Sequence, residues 1–141
     1  MAAPNGVVET GLQMFDAAPV AVVATSGTDH VVVYVNPTFE TLFGPRRVGV
    51  PAREAFTDLL QLDRYLDLLD RVLSTGAPLQ TTEAPVVLTD GVRSSAPQRW
   101  FDFGLSPITP GGMAPGVLVI GVEITDRLLQ AARIERLAEE Q

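Results

Sequence analysis

One imidazole, His30, and a scatter of carboxylates are the groups through which this 141-residue chain would have to do reaction chemistry. There is no Cys. Thiolate nucleophiles, disulfides, Cys-ligated zinc and iron–sulfur clusters are therefore excluded. All ten cations are Arg, with no Lys among them, which removes a P-loop lysine and a Schiff-base mechanism. A nucleophile–base pair would need His30, and its position beside Gly27-Thr28-Asp29 predicts an exposed turn histidine. Asp63, Asp67 and Asp70 fall on the polar side of a helical repeat, a solvated face. Asp102 sits in an apolar run, with Arg99 as its expected partner or a solvated outer face as the alternative. The sequence holds no Gly-x-Ser-x-Gly elbow, no Gly-x-Gly-x-x-Gly and no His-Glu-x-x-His. No catalytic residue and no metal ligand is assigned, and no enzyme activity is expected. The residues better suited to function are apolar: Tyr34, Phe39, Phe43, Phe56, Tyr65, Leu66, Leu69, Phe101 and Phe103. Together they suit the walls of a small-molecule cavity, for which Tyr34, Tyr65, Arg53 and Arg99 offer polar anchors. Ordinary core packing is the competing reading of the same side chains.

Sequence periodicity supplies the elements that must position them. Val8, Leu12 and Phe15 recur at helical spacing, predicting a short helix over Val7–Ala17. Val20–Thr25 and Val31–Val35 read as a hairpin. Asn36-Pro37 is a strong helix start, and Gly44-Pro45 a stop, with Gly44 expected in the left-handed region. Pro51–Phe56 is a second short helical piece. Leu62, Leu66, Leu69 and Leu73 make the apolar stripe of a long helix over Leu59–Thr75, with Gly76 just past its end. Leu79–Leu88, interrupted by Pro85, reads as an edge or bulged strand. A loop from Asp90 to Pro97 follows. Arg99–Ser106 and Gly116–Ile124 are further strands, and Thr125 caps a last helix, Asp126–Glu140. Loops between the three late strands are too short for crossovers, so those strands are antiparallel. The economical architecture is α+β: a five-stranded antiparallel sheet with short helices and one long helix over one face, flanked by N- and C-terminal helices.

Composition bounds the rest. At 46% hydrophobic and 19% charged residues, one packed core is expected and wholesale disorder is not. A formal net charge of −7 argues against nucleic acid and against an anionic membrane surface. No run approaches the roughly 20 apolar residues of a membrane span, and the first residues lack the pattern of a signal peptide. A cytoplasmic location is expected.

The order of elements resembles the PAS family of sensor modules. Val33–Gly44 resembles the family's second strand and first short helix. Val48-Gly49 before Pro51 resembles a turn of the family, and Leu73-Ser74-Thr75-Gly76 the end of its long helix. Arg99–Pro107 resembles the fourth strand. Gly116–Thr125 resembles the fifth strand and its Asp-Ile-Thr signature, with Glu123 in place of Asp. The resemblance implies a flanking helix over 1–16, a PAS domain over 17–124 and a signalling helix over 125–141. It also implies transmission through Glu123, Ile124 and Thr125, and a homodimer built on Val8, Leu12, Phe15 and Trp100. The output would be a domain such as a histidine kinase, a protein phosphatase or a cyclic-dinucleotide enzyme in a bacterial two-component or related system. Without Cys, neither a covalent flavin nor a thioester-linked chromophore is expected. Haem members usually carry their axial His on the long helix, and Leu59–Thr75 has none. Non-covalent flavin stays open and the cofactor is unknown. A ligand-free interaction module and a small α+β enzyme are the alternatives to a ligand-binding sensor.

Overall fold

A computed structural model describes residues 11–89 and 99–139. Strands β1 (Ala21–Ser26), β2 (Val31–Val35), β3 (Leu79–Val86), β4 (Arg99–Ile108) and β5 (Gly116–Glu123) form one antiparallel sheet in the order β2-β1-β5-β4-β3. Helices α1 (Pro37–Phe43), α2 (Ala52–Ala55) and α3 (Leu62–Thr75) occupy the connection between β2 and β3, and α4 (Thr125–Glu139) follows β5. This is the expected α+β architecture. Period-two alternation decides which side chains meet the helices. Val23 lies opposite both Val35 and Val119, and Val119 lies opposite Leu105. These residues make the inner face. Val23 and Val32 pack with Ala52 and Ala55, while Leu105 and Val117 pack with Leu69 and Val72. Leu66 and Val119 join the two clusters. Burying each such aliphatic side chain stabilises by about 1.5–3 kcal/mol.

The interior strand β1, between β2 and β5, is buried along its whole length. The outer edge of β2 is covered by the 48–51 segment: Gly49 donates to the Val32 carbonyl at 2.7 Å, and Val32 donates to that of Val50 at 2.9 Å. An edge occupied in this way is closed to pairing with another chain.

Four expectations about elements are corrected. The leading helix reduces, within the described residues, to a 3₁₀ turn over Leu12–Phe15 preceded by Gly11 at φ +78°; Val7 to Thr10, with Val8, lie outside them. The long helix starts at Leu62, because Leu59 bridges Leu88 and Leu60 donates to the Val87 carbonyl at 2.9 Å. Gln61 turns the chain between these two duties at φ +62°. Gly44 has φ +85° and ψ 166°, a positive-φ exit but not the left-handed helical one; Gly76, at φ +70° and ψ 11°, does adopt that conformation. β4 runs on to Ile108 because Pro107 falls where β3 has ended, so its missing N–H breaks no ladder there. The pairing of β3 with β4 shifts between Thr81 and Ala84, which accommodates Pro85 as a bulged edge. The loop expected from Asp90 to Pro97 is outside the described residues.

Candidate ligand cavity

Asn36 builds the first wall. Its Oδ1 accepts from Phe39 N at 3.0 Å as a helix cap and from Val22 N at 2.9 Å. Its Nδ2 donates to the carbonyls of Val20 at 2.8 Å and Phe15 at 3.1 Å. A fully buried side chain thus satisfies backbone groups on three segments and fixes the angle at which α1 leaves the sheet. From α1, Phe39 and Phe43 project one turn apart, 4.7 Å between ring centroids. Ring contacts then continue in an arc. Phe39 meets Phe56 at 5.8 Å, Phe43 meets Phe101 at 5.2 Å, Phe101 stacks on Phe103 at 5.5 Å, and Phe103 meets Tyr65 edge-on at 5.9 Å.

Inside that arc lies a cavity of about 110 Å³, between the inner face of the sheet and α1 to α3. Phe39, Phe43, Phe56, Tyr65, Leu66, Leu69 and Phe103 all line it. Phe101 is not in the wall: it is fully buried behind Phe43 and Phe103. Tyr34 is a correction. It lies opposite Ala24, one residue out of phase with Val35, so it stands on the outer face and donates to Asp16 at 2.5 Å. The other expected anchors also lie elsewhere or are already engaged. Arg53 is exposed. Arg99 lies 3.8 Å from Glu123. The Tyr65 hydroxyl donates to the Pro85 carbonyl at 3.0 Å. Burial raises the Tyr65 phenol above its ordinary pKa, against an opposing pull from Arg64. Burial, with the Asp16 hydrogen bond and charge added, raises that of Tyr34.

The charged residue of the wall is Arg46, which sequence reasoning missed. Its side chain is 7% exposed and makes a two-point pair with Asp58. Nη2 also donates to the Phe43 carbonyl at 2.6 Å and Nη1 to that of Ala55 at 3.2 Å. The guanidinium lies 5.4 Å from the centre of the Phe56 ring. Nε is buried with no hydrogen-bond partner. In sequence, Gly44-Pro45-Arg46-Arg47 looks like a solvated loop. Its partner, twelve residues on, carries no periodic signal.

His30 is a second correction. It is 4% exposed, with Nε2 2.5 Å from Asp70 Oδ1 on α3. The β1–β2 turn tucks beneath the long helix, so a residue expected in solvent becomes a strut, and Asp70 is not merely solvated. Asp102 is a third. Its Oδ1 accepts from Glu83 N at 2.9 Å and its Oδ2 from Arg127 Nη2 at 3.3 Å; Arg99 pairs with Glu123 instead.

At the exit from the sheet, Ile124 N donates to the Trp100 carbonyl at 2.8 Å. Thr125 Oγ1 accepts from Trp100 N at 2.9 Å and donates to Glu123 Oε2 at 2.9 Å. The Thr125 hydroxyl was expected to cap α4; it turns back to hold β4 instead. Beyond Leu128 the helix is exposed. Among the described residues no group of three or more His, Cys, Asp or Glu gathers in one place. No helix there is long and apolar enough to cross a membrane.

Solved structures share this fold. An RNA-binding light-oxygen-voltage receptor is 22% identical, over 99% of this chain and 40% of that one, with a TM-score of 0.60. The VqmA dimer of Vibrio cholerae, described with the DNA binding of LuxR-type receptors, is 18% identical over 83% of this chain and 51% of that one, with a TM-score of 0.63. The PAS domain of the histidine kinase ThkA is 17% identical over 73% of this chain and 97% of that one, with a TM-score of 0.54. The chain thus spans about half or less of the first two relatives. Residues 15–129 match the PAS fold family. With the five-stranded sheet, its helical connection and this match along most of its length, the chain belongs to the PAS family.

Proposed function

We propose that this PAS domain is a sensory module that holds a small molecule between its sheet and α1 to α3 and passes the resulting strain to α4. The observation that carries the reading is the apolar cavity of about 110 Å³, ringed by Phe39, Phe56, Phe103 and Tyr65. Such a void costs packing energy when empty, and an occupant of matching shape recovers it. The route outward is Glu123-Ile124-Thr125. A shift of β4 moves Trp100, whose N and O are both bonded to this junction, and so tilts the helix.

A homodimer through the outer face of the sheet belongs to the same proposal. Trp100 is half-buried there and Val122 is 46% exposed. Phe15 is half-buried, but Leu12 is buried within its own chain and is dropped as a contact. Val8 lies outside the described residues. VqmA, one of the similar proteins, is a dimer, and ThkA is a histidine kinase; a kinase-type output in the cytoplasm is the proposed partner. Acidic charge speaks against a phosphate-binding face on this chain, but two of the similar proteins are named for RNA or DNA binding. The absence of nucleic acid is therefore not proposed for a longer protein carrying it.

Native mass spectrometry of the purified protein, before and after denaturation, tests the reading. A dimer whose mass exceeds twice the chain by a discrete, denaturation-sensitive increment carries it. A bare monomer that also takes up no small apolar compound overturns it in favour of a ligand-free interaction module.

A further inference from the structure

We infer that the cavity takes a small hydrocarbon, a molecule carrying no hydrogen-bonding group, on the scale of a single unsubstituted ring or a short branched chain. This inference names the ligand class of the sensory reading above and rests on it. Its ground is where the polar atoms of the wall go. The Tyr65 hydroxyl donates to the Pro85 carbonyl. Thr25 Oγ1 is bonded to both N and O of Val117 within the sheet. Arg46 places Nη1 and Nη2 on Asp58 and on the carbonyls of Phe43 and Ala55, and its Nε has essentially no accessible surface. Thr81 is half-buried on the edge strand β3. Almost no oxygen or nitrogen of the lining residues is left facing the void, so its surface is carbon nearly throughout.

That surface chooses a ligand by what it withholds. A carbonyl, hydroxyl or amine entering from water gives up its hydrogen bonds there and receives none in return, whereas a hydrocarbon gives up none and gains contact. A carboxylate fares worse, because the Arg46 charge is already balanced by Asp58. Size sets the scale. A dry apolar cavity of roughly 150 Å³ holds benzene, and this one is about 110 Å³, so a ring of that size is near its upper limit. A flavin, whose three fused rings are edged with carbonyl and N–H groups, meets neither room nor partners in it.

The test uses benzene and pyridine, two rings of one shape of which pyridine alone carries an acceptor, at a pH where pyridine is uncharged. Binding is followed by methyl NMR, with Leu66, Leu69 and Val119, which line the cavity, as reporters of place. The affinity ratio of the two rings is set beside the ratio of their partition from water into an alkane, a solvent that offers no hydrogen bond. Benzene should shift those methyl resonances and bind at least about a hundredfold more tightly than pyridine, matching the alkane ratio. An affinity ratio about tenfold or more below the alkane ratio, the worth of one hydrogen bond, would reveal a donor in the wall. That result overturns this inference and leaves the sensory cavity standing. If neither ring moves the three methyl signals at saturating concentration, both the inference and the cavity reading fall.

Discussion

Asn36 and Gly116 carry constraints that a residue count would not reveal. The Asn36 amide serves Val22 N, Phe39 N and the carbonyls of Val20 and Phe15. Asn36→Ala would remove a helix cap and strand the remaining groups in the interior, a loss of about 3 kcal/mol. Denaturant unfolding should show it as a lower midpoint at unchanged slope. Asn36→Asp keeps the acceptor and loses both donors, so it should rank between the two. At Gly116 the reason is space. A Cβ built there would sit 1.8 Å from the Thr25 carbonyl oxygen, an overlap that only backbone movement relieves. Gly116→Ala should cost about 1–3 kcal/mol or prevent folding, and a melting temperature equal to that of the unaltered protein would refute the close approach of β5 to β1. The helix cap at Asn36 was legible from Asn-Pro alone. Its reach back to Phe15 and Val20 was not, because those partners lie sixteen and more residues earlier.

At the scale of elements, α4 is held to the sheet through few atoms. Thr125 Oγ1 bridges Trp100 N and Glu123, and past Leu128 the helix meets solvent, with Leu129 63% and Ile134 65% exposed. Thr125→Val preserves shape and removes the bridge. It should leave global stability within about 1–2 kcal/mol of the original, yet raise amide exchange throughout α4 and at Trp100. Unchanged exchange in α4 would show that the junction does not hold the helix. Here the sequence pattern pointed to Glu123, Ile124 and Thr125 at the junction, while the partner it gave Thr125, the start of α4, is replaced by Trp100 N and Glu123. Capping is a local geometry readable from spacing, whereas a bond to β4 depends on which strand lies alongside.

For the whole molecule, the titration of two tyrosines offers an unusually clean test. The chain has two Tyr and no Lys, so between about pH 9 and 12 no other side chain with an ordinary pKa changes charge. Both phenols are raised in the folded state, Tyr65 by burial and Tyr34 by burial together with Asp16. Unfolded tyrosine ionises near pH ~10. Above that value the unfolded chain binds fewer protons than the folded one, so stability falls as pH rises. Between about pH 9 and 10 stability should be level, and it should decline above that, with phenolate absorbance appearing late in the folded protein. Tyr34→Phe should remove part of the decline; an identical pH profile would dismiss the Asp16 contact as its source.

Alternation and helical spacing were sufficient to identify the five strands, the apolar stripe of α3 and the aromatic residues that gather around the cavity, because burial of one face imposes a period on the chain itself. The exact walls needed the tertiary structure. Tyr34 left the cavity for the outer face through its position in the β1–β2 pairing, and Phe101 moved behind the wall through its stacking on Phe103. The adjacency of β1 and β5, the burial of His30 against Asp70 and the placing of Arg46 with Asp58 all join residues far apart in sequence or unmarked by any period. Such contacts arise when packed layers close over one another, a long-range event that no local pattern encodes.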